Sequence, residues 1–393
     1  MRQFCSSTVI LVLSIFLVSD AVAKNPPWQV KHQQLQSVRD NIFSELEEIH
    51  SVLSLRAQDI DPALKQRLSM ESVDPRVSGY GLLPVIEDNE PFGAVTPRQT
   101  VYSLERLEAR FHEELENTET LSVQIVQNPD LESLVSRFEN LLEELRHLEN
   151  HLSYQEQWQR SVAEYPEYFR GRNKLIAQIR EIEQLSNGGG SDERRAGLRD
   201  QLIQDVVSFK PTPGVTLISH ENGERVLPVT VCTDIEDSDF LQVFKQGVDE
   251  AFNQSVAARE RRFSVRLNWH FVAAETLYPE GPPADGARID ADAHRALFGN
   301  CRMILTTGAS STYARVGDRV VLGTDPLSRR TLAHEFAHLL GFSDTYLRGF
   351  DGEPGDPYGV VLIEWSGLTD DLMSDPDRGK VSATMVETLL TAY

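Results

Sequence analysis

Positive charge is the first thing this chain is short of. Its 38 Lys and Arg stand against 60 Asp and Glu, a net charge of −22 over 393 residues. That balance disfavours nucleic acid or an anionic membrane surface as a partner, because both reward clustered cations. Long apolar runs are absent after the first 23 residues, so no later segment reads as a membrane span. Three catalytic and nucleotide signatures are also missing: G-x-S-x-G, the P-loop and the dinucleotide fingerprint. Cysteine is scarce, with three in all and none between Lys24 and Val231.

What is present begins with a leader. Arg2 supplies a positive start, Thr8 to Val18 is apolar apart from Thr8 and Ser14, and Ala21-Val22-Ala23 is an A-x-A cleavage site. Residues 1–23 therefore read as a signal peptide, and the mature chain as secreted or periplasmic with no stable membrane insertion. Cys5 precedes the apolar run and follows no lipobox, so it is not a lipid anchor. Cleavage leaves Cys232 and Cys301, which an exported chain can keep either as a bridge or as two buried thiols.

Composition is ordinary for a globular protein, 40% hydrophobic and 25% charged. From 24 to 209 the apolar residues recur at helical spacing. Val30, Leu35, Val38, Ile42, Leu46 and Ile49 form one stripe, and Leu104, Leu107, Phe111 and Leu115 another within a helix expected over 97–126. Leu131, Leu134, Phe138, Leu141, Leu145, Leu148 and Leu152 alternate by threes and fours, a narrow coiled-coil seam. Further helices are expected over 168–185 and 192–209, separated by a Gly-rich break. The Pro- and Gly-rich stretch 73–96 reads as a connection, either disordered or a belt along the helices. The expectation is an antiparallel helical bundle. Its seam is either buried within the chain or used for a homodimer or a protein partner.

Lys210-Pro211-Thr212-Pro213-Gly214 marks a boundary, and 210–393 changes period. Strands are expected over 226–233, 263–273 and 303–307, with a helix over 237–252. Gly317-Asp318 turns a hairpin between 311–316 and 319–322. Asp325 and Pro326 read as the start of the next helix. Residues 347–367 read as loop, and 381–392 as a closing helix packed on the floor of that region. Asp351, Glu353 and Asp356 crowd a Gly-rich turn where calcium is a candidate, although a solvated turn explains them as well. The fold class is thus α+β, helices first.

The chemistry gathers at 331–346, T-L-A-H-E-F-A-H-L-L-G-F-S-D-T-Y. His334 and His338 stand i,i+4 and share one helix face, so both imidazoles can reach one metal ion. Glu335, one residue round, lies beside that metal as a general base. Gly341 can end the helix at positive φ and turn Asp344 back as a third ligand, leaving the fourth position of a Zn2+ for water. The competing reading is a buried helix with two satisfied core histidines.

H-E-x-x-H-x-x-G-x-x-D resembles the zinc signature of the metzincin metallopeptidases, in the variant with Asp as third ligand that is similar to the snapalysins. The resemblance covers about 226–393. It implies a metzincin-like twisted sheet with an active-site helix, and Met373 in D-L-M-S as the Met-turn beneath the metal. The Tyr that some members place two residues after that Met is Asp375 here. The strands carrying Cys232 and Cys301 would be neighbours. Residues 311–316 would be an edge strand to which an extended peptide adds. The implied function is an exported zinc endopeptidase acting on peptide or protein substrates, with Glu335 taking a proton from the attacking water and passing it to the leaving amine. The alternative is a non-catalytic binding or assembly protein, with the bundle as working part and the zinc domain vestigial. The helical half could also act as a propeptide, but not through a cysteine latch, since it has no cysteine.

Overall fold

A computed structural model describes residues 25–58, 61–70, 79–89, 91, 95–96, 98–187, 191, 193–194, 196–198, 200–201, 208–287, 289–309, 311–367 and 369–393. The expected signal peptide, residues 188–190 of the Gly-rich break and half of the helix expected over 192–209 lie outside the described residues. The architecture is mixed α+β, with the helices concentrated in the N-terminal half.

Among the described residues the first helices are α1 (Pro27–Gln58), α2 (Pro62–Met70), α3 (Leu104–Gln127), α4 (Leu131–Glu164) and α5 (Pro166–Asn187). Side-chain caps set two of their starts. Ser103 accepts from the Arg106 amide, and Asp130 accepts from the Ser133 amide. The apolar stripes of α1, α3 and α4 merge into one core in which Leu46, Phe111, Phe138 and Leu145 are fully enclosed. The leucine seam of α4 is therefore spent inside the chain.

Two expectations about this half need correcting. The helix over 97–126 begins only after Ser103, because Arg98–Tyr102 is a strand, β2. Its partner is far away in sequence, so local pattern carried no sign of the pairing. Where it is described, the connection leaves the helices. Residues 79–89 lie on the C-terminal half instead, where Tyr80 is buried and Ile86–Glu87 (β1) pairs in parallel with Leu327–Ser328 (β9). Gly79 permits this approach, since a Cβ there would stand 2.2 Å from the Gly286 carbonyl carbon.

The C-terminal half contains the main sheet: β3 (Ile218–Ser219), β4 (Arg225–Thr233), β5 (Phe263–Phe271), β6 (Ile304–Thr307), β7 (Tyr313–Arg315) and β8 (Arg319–Leu322). The order is β5-β4-β6-β8-β7, with β3 also on β4. Strands β5, β4, β6 and β8 are parallel and β7 runs antiparallel at one edge, the expected hairpin. The helices of this half are α6 (Ser238–Val248), extended by a π turn over Asp249–Asn253, α7 (Val256–Glu260), α8 (Ala274–Leu277), α9 (Ala291–Leu297), α10 (Arg329–Leu339) and α11 (Ala383–Ala392). Asp237 caps α6. The core formed by the sheet, α6 and α10 includes Leu227, Phe244, Phe252, Val320 and Phe336. The C-terminal α11 joins that same core through Met385, Val386 and Leu389, packing beside α7. Cys232, on β4, is bridged to Cys301, just before β6.

The region expected to be loop, 347–367, is half strand. β10 (Leu347–Asp351) and β11 (Val361–Ser366) form an antiparallel pair, and β2 adds on the far side of β11. Alternation divides this small sheet. Leu347, Ile363 and Trp365 face α5, whereas Phe350 and Leu362 face the end of α4 at Val162. Without β2, α4 and α5 it would be an uncovered two-stranded hairpin, which is marginal in water. The helical half thus completes the fold of the C-terminal half, and sheet pairing crosses the boundary near residue 209.

Deleting residues 24–209 should therefore give a chain that is poorly soluble, or soluble without near-UV circular dichroism. A well-folded, cooperatively melting 210–393 fragment would contradict this packing.

Candidate metal centre

The site grows from α10. Ser328 caps its N-terminus, accepting from the Thr331 amide at 3.0 Å, so the expected start at Asp325 lies too early. Leu332, Ala333, Phe336, Ala337 and Leu339 are fully buried, which makes α10 a core helix. His334, Glu335 and His338 are its buried polar residues together with Arg330. Groups of this kind need partners in so dry a position.

The two histidines find half of theirs. His334 Nδ1 donates to the Leu372 carbonyl at 2.9 Å, and His338 Nδ1 donates to the Phe342 carbonyl at 2.8 Å. A carbonyl only accepts, so each Nδ1 carries a proton, and Nε2 is the atom each ring has left to offer a metal. Both Nε2 atoms lie 3.2 Å from Asp344 Oδ1. Asp344 arrives there because α10 ends at Leu340 and Gly341 adopts φ 106°. A side chain at 341 would also strike the Lys210 carbonyl oxygen, 2.1 Å from a Cβ position.

These residues fit a zinc ion. Tetrahedral zinc with bonds of about 2.0–2.1 Å has ligand–ligand edges of roughly 3.3 Å, close to the spacing seen here. His334, His338 and Asp344 each offer one ligand atom, all within 4.8 Å of one another. Asp344 Oδ1 is buried and accepts no conventional hydrogen bond, as suits an atom aimed at a cation. In the metal-free chain burial opposes charge on His338, but the Asp344 carboxylate outweighs it and raises the imidazole to about 9. Burial alone would raise Asp344, yet the two imidazoles hold it far below the usual carboxylate range.

Glu335 lies beside this triad. Burial raises its carboxyl above the ordinary value against the pull of both imidazoles, and its Oε2 has no hydrogen-bond partner. Met373 is buried in a turn tied to the ligands through backbone. Leu372 supplies the carbonyl that orients His334, and the Thr345 amide donates to the Met373 carbonyl at 3.1 Å. Asp371 closes the turn, accepting from the Met373 and Ser374 amides at 3.0 Å. Asp375 is buried in that loop and accepts from the amides of Asp377 and Arg378.

The calcium candidate is not assembled. Asp351 pairs with Arg180 at 2.6 Å and Asp356 caps the Glu353 amide at 3.1 Å. Among the described residues these acids do not converge as a metal group. Cys232, Cys301 and His270 do converge, but the disulfide occupies both sulfurs.

Three functional neighbours escaped sequence reasoning. Asp344, Tyr346 and Arg348 alternate along an extended segment and so share a face. The Tyr346 phenol lies beside Asp344, and burial pushes its ionisation well up, so it faces that carboxylate as a neutral donor. Arg348 reaches Tyr346 Oη at 3.3 Å, stacks its guanidinium over that ring at 4.7 Å and is anchored on Glu364 at 2.7 Å. The period-2 pattern D-x-Y-x-R was the available signal. The third neighbour, Tyr154 on α4, interacts electrostatically with Glu335 and had no local signal at all.

No family model, curated protein or solved structure matches this chain.

Two outcomes are expected. Zinc affinity, measured by chelator competition, should rise with pH up to about 9 with net acid release, because zinc must displace the proton that His338 holds in the metal-free chain; His334→Ala and Asp344→Ala should bind far more weakly at every pH. Tyr346→Phe removes an oriented donor from a ligand carboxylate and should weaken zinc about 10- to 100-fold, while the melting temperature of the metal-free chain stays near that of the parent.

Proposed function

We propose that this chain is an exported zinc endopeptidase with a metzincin-like catalytic half. The observation that carries the reading is convergence. Two imidazole Nε2 lone pairs and one carboxylate oxygen point at one place, with an unpartnered, buried carboxylate next to them. A structural zinc site would need a fourth protein ligand and no such base.

A zinc ion held by His334, His338 and Asp344 supplies Lewis acidity, acidifying a water and polarising the peptide carbonyl. Glu335 takes the water's proton as the oxygen attacks and delivers it to the departing amine. Its raised affinity for protons suits it to hold the proton between the two steps. The carbonyls of Leu372 and Phe342 keep both rings in the ligating tautomer throughout. Tyr346 and Arg348 hold the third ligand in place. The outer side of β7 pairs with no other described strand, which leaves an edge for an extended peptide. The order of strands, the edge hairpin and the Met373 turn support the metzincin-like reading. The leader and the Cys232–Cys301 bridge support an oxidising compartment.

The test is cleavage of an unfolded protein by the zinc-loaded mature chain beside Glu335→Ala. The expected result is loss of at least about 10²-fold in rate with zinc still bound stoichiometrically, and loss of the parent's activity on chelation. Equal rates would exclude Glu335 as the base. Stoichiometric zinc with no cleavage by the parent would favour the non-catalytic binding reading.

A further inference from the structure

One face of α4 meets both rims of the candidate cleft. Asn150 Nδ2 donates to Asp325 Oδ1 at 2.7 Å, and the Tyr154 phenol lies beside the Ser311 side chain. Both contacts are on the β7 side, the upper rim. One turn further, Trp158 packs on Phe350 at 5.6 Å and under the Arg348 guanidinium at 5.3 Å. Gln159 then clamps the Val360 backbone, accepting from its amide at 3.0 Å and donating to its carbonyl at 2.7 Å. Those contacts are on the β10 side, the lower rim. Asn150, Tyr154 and Trp158 are spaced i, i+4, i+8 and so lie on one line of the helix. From Asn150 to Gln159 is about 14 Å of axis at 1.5 Å per residue.

We propose that α4 is a bar across the cleft, and that Asn150 and Tyr154 decide what enters, admitting a single extended peptide segment and excluding folded protein surfaces. The substrate class rests on the peptidase reading; the bar does not. An extended strand adds to a sheet edge at a spacing of about 4.8 Å and can slide beneath a helix. A folded surface cannot, because an α-helix with its side chains is itself about 10–12 Å across.

The two rims are held differently. At the lower rim α4 contributes apolar burial with Phe350, Val360 and Leu362, and Gly359 lies so close that a Cβ would stand 2.2 Å from the Gln159 amide oxygen. The upper rim is held by the Asn150 hydrogen bond and by the polar contact of Tyr154 with Ser311. Opening therefore occurs at the upper rim, where release of Ser311 frees the head of the β7 edge. Burial of Glu335 in the present arrangement is what a closed bar produces.

The test uses the full mature chain with Asn150→Ala and, separately, Tyr154→Phe, which keeps the ring. The first readout is amide hydrogen exchange in 311–316, which needs neither zinc nor activity. It should speed up roughly tenfold in each variant, the worth of one net hydrogen bond, with exchange in β8 unchanged. The second is kcat/KM on a reduced, alkylated carrier protein relative to a quenched octapeptide. That ratio should rise several-fold in both variants. Parental exchange rates in both variants would overturn the bar. So would a loss of rate equal on the two substrates. Faster exchange at 311–316 with no cleavage of either substrate would uphold the bar and overturn the peptidase reading.

Discussion

Two hydrogen bonds from imidazole to backbone carry the candidate site. His334 on Leu372 and His338 on Phe342 fix the tautomer of each ring, and both acceptors belong to chain segments that return from beyond α10. The acceptor of His338 is available because Gly341 ends the helix at positive φ and throws Phe342 back across it. The acceptor of His334 is available because Asp371 folds the Met373 turn. Each metal-directed lone pair therefore depends on a backbone conformation elsewhere, and the site cannot form before the lower segment docks on α10.

That docking in turn depends on the helical half. β10 carries Arg348 in register with Glu364 on β11, and β11 is paired on its other edge by β2. α5 covers one face of this sheet and α4 the other. The chain of support runs from the leucine-rich core of α1, α3 and α4, through α4 into the small sheet, then through Arg348 and Tyr346 to Asp344. A propeptide designed for release would not be expected to supply a strand to the sheet beneath the site. The helical half behaves as a scaffold with a wall of the cleft built into it.

The acidic character of the chain belongs to its surface. Exposed Arg–Glu and Arg–Asp pairs such as Arg110–Glu144 and Arg180–Asp351 contribute on the order of 0–1 kcal/mol each. Packing of the two large cores dominates instead. Buried ionisable groups occur at the candidate site, at His334, Glu335 and His338, and also elsewhere, as at Glu114, Asp234 and Arg319.

Much of this was written locally. The H-E-x-x-H spacing, the glycine three residues on, the leucine seam of α4 and the hairpin at Gly317 are all short-range patterns. In each, the residues that specify the conformation are the ones that adopt it. What failed was non-local. Arg98–Tyr102 was read as helix because its partner, β11, is far off in sequence, and 347–367 as loop because the β10–β11 hairpin is completed only by β2, α4 and α5 from the other half. The same reason hid Tyr154, which reaches Glu335 only after α4 has packed across both rims. The sequence alone determined the types and order of the candidate ligands and the carboxylate beside them; the tertiary structure decided which carbonyls orient the imidazoles and which segments enclose them, because orientation and enclosure are properties of contacts between segments rather than of any one segment.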